Sequence, residues 1–90
     1  MKSNTIKEGI LNLVDFPKEV LLNLPKITVI GNTQITVENH RGIIEYIPER
    51  IRINSTIGMI RISGKNMIIN SVMTEILVIT GKIISIEIIV

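Results

Sequence analysis

The stretch "ITVENHRGIIEY" (35–46) concentrates the side chains of this chain that could do chemistry: Glu38, Asn39, His40 and Arg41, then Glu45 and Tyr46. A histidine among carboxylates can serve as a general base, and two facing carboxylates can share acid–base work. His40 is the only histidine present. Metal centres normally use three or four convergent ligands, so one imidazole with scattered glutamates is a thin donor set. Nucleophilic catalysis needs a base held by an orienting group, and Glu38 and Asn39, adjacent to His40 at one strand end, are badly placed to orient it. The segments "GKN" (64–66) and "GKI" (81–83) lack the following helix that a phosphate loop requires. With alternation on both sides and Gly42 available for positive φ, "ENHRG" reads most simply as a hairpin turn, across which Glu38 and Glu45 could face each other. Tyr46 reads as a half-buried ring with a wet hydroxyl. Arg50, Arg52 and Arg61 form a mild basic stripe, expected to be a solvated face. Catalytic residues, metal ligands and cofactors are therefore all assigned as none.

The elements that must hold these residues follow from composition and punctuation. Ninety residues make a single domain, 1–90. Isoleucine fills about a quarter of the positions, far above ordinary usage, while Phe16 and Tyr46 are the full aromatic set. Stiff, β-branched side chains favour a pleated surface, so the chain is expected to be all-β. A formal charge of +2 with interleaved signs gives no footprint for nucleic acid. Cysteine is absent, which removes disulfides and thiolate sites. Glu8 and Asp15 interrupt the first apolar run, which argues against a signal peptide, and no uncharged run approaches the ~18 residues of a membrane helix.

Residues 5–15 are expected to form a short amphipathic helix: Thr5 and Glu8 fit a capping box, and Ile6, Ile10, Leu13 and Val14 share one face. Segment 17–24 leans to extended structure. Over 27–90 the period becomes two, with breakers near Gly31-Asn32, Asn39–Gly42, Pro48-Glu49, Ile57-Gly58, Gly64–Asn66, 72–74 and Gly81-Lys82. Short strands at this spacing predict an antiparallel meander curled into a roll or sandwich, with a small parallel β-solenoid as the alternative. "RIRINST" and "MIRIS" alternate cleanly, Ile51, Ile53, Ile60 and Ile62 against Arg50, Arg52, Arg61 and Ser63. By contrast "ILVIT" (76–80) and "IISIEIIV" (83–90) are apolar on both faces. In the last strand Ile84, Ile86, Ile88 and Val90 are expected on one face, with Ile83 and Ile89 flanking Ser85 and Glu87 on the other. Either the helix covers the second face or another chain does, by strand addition or face packing.

The ordered set of turn residues resembles the YabP/YqfC family of sporulation proteins, and most of all its YqfC branch, over residues 16–89. The resemblance rests on Gly31-Asn32, on Glu38-Asn39-His40 with Gly42 and Tyr46, and on Gly58, Gly64 and Gly81 at their spacings. It implies a non-enzymatic protein of the mother-cell cytoplasm of a sporulating bacterium, peripheral to the forespore membrane and linked to cortex and coat assembly. It also implies a membrane-embedded sporulation partner, with no transmembrane segment in this chain itself. Self-association is the other partner expectation. Two further readings stand beside it: membrane attachment through the apolar face of 5–15, and a cortex-sugar binding or hydrolytic module using Glu38, His40 and Glu45.

Overall fold

A computed structural model describes residues 23–70 and 75–90. The expected helix at 5–15, most of the extended segment 17–24 and the weak turn at 72–74 lie outside the described residues. Among those described, six antiparallel strands form one sheet: β1 (Lys26–Ile30), β2 (Gln34–Glu38), β3 (Ile43–Ile47), β4 (Arg50–Ser55), β5 (Gly58–Ile69) and β6 (Ile76–Ile89). Every pairing is antiparallel, so the parallel solenoid is excluded for this region. The order is β1-β2-β6-β5-β4-β3. Only β3 to β6 form a meander; the β1–β2 hairpin joins on the far side of β6, and the sheet stays open with β1 and β3 outermost.

Three expected turns are hairpin turns: Gly31–Thr33, Pro48–Glu49 and Thr56–Ile57, the last closed by the Gly58 pair with Ser55. Two are not. Gly64–Asn66 and Gly81-Lys82 lie inside the long strands β5 and β6, where the register slips between Ser63 and Gly64 and again between Lys65 and Ile68. Breakers here make bulges instead of reversals, because bulges bend a strand and sharpen its twist without ending it. The glycines are needed for close approach. A Cβ on Gly64 would run into the Lys82 carbonyl oxygen, and one on Gly81 would lie 2.8 Å from the Asn66 carbonyl oxygen at a φ of +144°.

The bend is large. In a flat sheet the residues before β1 and the β4–β5 turn would sit at opposite ends of β6, about 45 Å apart at 3.3 Å per residue. Yet Thr56 Oγ1 donates to the Asn23 carbonyl at 2.6 Å. Two N–H groups only two residues apart tell the same story: Asn39 donates to Glu75 O and Arg41 to Asn54 O, each at 2.8 Å. The long strands therefore fold over at their bulges, and the ends of the sheet meet.

One face lines the inside of this bend. Ile35, Val37, Leu77 and Ile79 come from one half, Ile51, Ile53, Ile60 and Ile62 from the other, with Met67 and Ile83 near the bend; all are buried. The alternation of "RIRINST" and "MIRIS" is realised as expected, isoleucines in and arginines out. The last strand differs. The slip that pairs Ser63 with Ser85 but Gly64 with Ile83 leaves Ile84 as the extra residue, so Ile83 is buried on the core side instead of flanking Ser85 outside. Ile86 packs against the core, and Ile88 shares its face opposite Ile60.

Candidate interaction site

The segment that raised the question of chemistry is an arch, not a hairpin. β2 pairs with β1 and β6, β3 pairs with β4, and residues 39–42 carry the chain between the two halves of the folded sheet. Glu38 and Glu45 consequently do not face each other: Glu38 pairs with Lys26 and Ile76, Glu45 with Arg52. Asn39 takes positive φ (64°), and its Nδ2 donates to the Leu24 carbonyl at 2.9 Å. Gly42 also has positive φ, as expected, at 112°. Its N–H donates to His40 Nδ1 at 2.9 Å, which fixes the proton of a neutral ring on Nε2. That Nε2 is buried and has no hydrogen-bond partner. The imidazole is thus a brace within the arch. No three His, Asp or Glu side chains among the described residues converge as metal ligands.

Tyr46 has a half-exposed ring, and its hydroxyl, at an exposed position, accepts the N–H of Ile69 at 3.1 Å, tying β3 to the far end of β5. The arginine stripe is likewise not bare. Glu45 Oε1 accepts from Arg50 Nε at 2.7 Å and from Arg52 Nε at 2.8 Å, while Glu87 accepts from Arg61 Nη2 at 2.7 Å. The hydrogen bond from Arg50, with the charges of both arginines, holds the Glu45 carboxyl down at about 2. Glu45, Arg52, Arg61 and Glu87 are successive register partners, so a row of paired charges crosses four strands on the outer face. The Glu45 end was open to sequence reasoning, since a two-residue turn at Pro48-Glu49 sets residue 45 against 52. The Glu87 end depends on the long-range β5–β6 register and carries no local signal.

The remaining predicted residues divide. Asn32 supplies a carbonyl to the Ile83 N–H at 2.7 Å, joining the β1–β2 turn to β6. Gly58 starts β5 directly against the Ile89 backbone. Among the described residues, the C-terminal part of β6 has β5 on one side only, because the β2 ladder ends at Thr80 and its turn reaches no further than Ile83. Within that set, residues 84–90 form an open margin. Ile84 is 62% exposed, Ile88 50% and Val90 99%. Sequence reasoning found this strand but missed its counterpart: on the outermost β1, Val29 and Ile30 are 47% and 55% exposed. The lone expected signal there was apolar alternation, which does not tell an outer strand from an inner one.

Comparison with known proteins adds lineage. The family model described as the YabP family matches residues 23–89. The chain is 32% identical over 82 residues to a protein of Bacillus subtilis (strain 168) named "Uncharacterized protein YqfC", a match covering 91% of this chain and 88% of that one. No solved structure matches.

Proposed function

The chain belongs to the YabP family, and from that premise we propose that it is a non-enzymatic assembly protein of endospore formation, working through contacts with other proteins in building the cortex and coat. The observation that carries this reading is the apolar, one-sided margin at residues 84–90. Strand margins offering free backbone groups and apolar side chains are natural templates for strand addition, and soluble proteins ordinarily blunt them with charge or proline. Here Ser85 and Glu87 interrupt the run, and Glu87, its one charge, is engaged by Arg61. The partner fitting this reading is a membrane-embedded sporulation protein presenting an extended segment on the mother-cell side. No helix among the described residues is long and apolar enough to cross a membrane.

The arrangement of the other candidates supports the same reading. Glu45 is committed to two arginines and His40 Nδ1 to a backbone N–H, so the groups whose chemistry first drew attention serve the fold. The test uses sporulating cells that carry Ile88→Lys in place of the native gene. Ile88 is half exposed, so the variant should fold, as circular dichroism would check. Expected are loss of co-fractionation with membranes and defective spores. Normal spores from a folded Ile88→Lys variant would sink the proposal.

A further inference from the structure

We propose that the outside of the bend, where Lys65 and Lys82 stand opposite each other, rests on an anionic lipid surface. This goes beyond the docking reading and uses a different part of the fold.

The register places the two lysines. Gly64 pairs with Ile83 and both are buried on the core side, so the next pair, Lys65 with Lys82, turns outward. Like charges directly opposite across a ladder destabilise it. Nearby on this face each arginine has a carboxylate: Arg50 and Arg52 share Glu45, and Arg61 holds Glu87. The lysine pair is treated differently. Both lysines are exposed, and among the described residues neither ammonium group has an ion pair or a hydrogen bond.

The flanking turns do not supply the missing anion. On one side Gly64 and Met67 donate to the carbonyls of Glu49 and Pro48, and on the other Gly81 and Ile83 donate to those of Thr33 and Asn32. Glu49 is the one carboxylate in these two turns, and its charge acts on Arg50. An exposed pair of ammonium groups without a counter-charge is matched by an external anion.

Shape and neighbours select lipid. The lysines stand on the outer side of a bend, which meets a broad surface more readily than it encloses a free phosphate. Ile84, two residues past Lys82, is 62% exposed, and Ile68, three past Lys65, is 54% exposed. Apolar side chains beside lysines suit the headgroup boundary of a bilayer, where isoleucines and lysine stems reach acyl chains while the ammonium groups stay with phosphate. A nucleic acid would leave those isoleucines unused, and Phe16 and Tyr46 build no stacking platform. Two cations attach weakly, and stable anchoring takes two signals. The bend therefore supplements docking through residues 84–90, and loss of either contact releases the chain in cells.

Flotation of the full chain with protein-free vesicles tests this. The wild type is expected to rise with vesicles of phosphatidylglycerol and phosphatidylcholine in equal parts, and not with phosphatidylcholine alone. Lys65→Glu sets opposite charges across the ladder, so it should stay folded, as circular dichroism would check. Its affinity for the anionic vesicles should fall about thirtyfold, the worth of two charges near such a surface. Should that variant misfold, Lys82→Gln removes one charge and should cost about fivefold. A wild type that does not float overturns the proposal. So does a folded Lys65→Glu or Lys82→Gln that binds as well as wild type, because the contact then lies elsewhere in the chain. Tighter binding to a DNA duplex than to vesicles of equal phosphate content also overturns it. Failed flotation, with Ile88→Lys still abolishing membrane co-fractionation in cells, removes the lipid contact and leaves the docking reading standing.

Discussion

Glu45 accepts from two arginines across a hairpin, and its acid–base behaviour gives a test of that geometry. Its carboxyl titrates at about 2 in the folded protein, below the ordinary value of 4.5. A depressed carboxylate pKa means that protonation favours the unfolded chain, so the contribution is full above the unfolded pKa and is lost as pH falls toward the folded one. Denaturant titrations should therefore show Glu45→Gln less stable than wild type at neutral pH, with the difference closing between pH 4.5 and 2. A difference unchanged across that window would mean the bridge does not form. His40 makes a second case. Asparagine at this position can offer its Oδ1 to the Gly42 N–H, as Nδ1 does now, and removes the buried N–H that has no acceptor. His40→Ala should cost about 1 kcal/mol more than His40→Asn, the worth of one hydrogen bond. Equal losses in the two variants would point to ring packing instead.

Strands β5 and β6 owe their shape to two glycines that were expected to end strands. Adding a methyl group to Gly64 or Gly81 forces backbone against backbone, which no rotamer change relieves. Either alanine variant should lose more than about 1 kcal/mol in urea titrations. Gly42→Ala meets nothing within 4 Å, so its cost is that of positive φ alone and should be smaller than that of Gly64→Ala. The reverse order would mean that the bend is set elsewhere. Within the core halves, Ile62 is fully buried, and Ile62→Ala should cost about 2–5 kcal/mol through lost burial and the cavity left behind.

The closure of the folded sheet depends on a few polar contacts between its ends, joined by the apolar interior. Thr56→Val keeps the shape of the side chain and removes the hydroxyl that reaches Asn23 O. It should lower stability by about 1 kcal/mol and raise amide exchange at the start of β1 above that of β5. Uniform exchange would show that the ends are held by packing alone.

Period-two alternation, an excess of isoleucine and recurrent breakers were enough to read residues 27–90 as strands, to favour antiparallel pairing over a solenoid, and to assign the inward face of β4 and the first half of β5. These are local properties: each side chain's face follows from its neighbours two residues away. The fate of each breaker was not local. Pro48-Glu49 turns the chain and Gly64 only bends it, because what distinguishes them is the strand lying alongside, and that is chosen by pairings far apart in sequence. For the same reason a hairpin could be expected at "ENHRG" where the chain crosses between halves, and Ile83 could be expected outside when one extra residue turns it in. The margins are the clearest instance: whether an apolar strand is covered or offered to another molecule depends on where its neighbour's ladder stops, a length that only the assembled sheet defines.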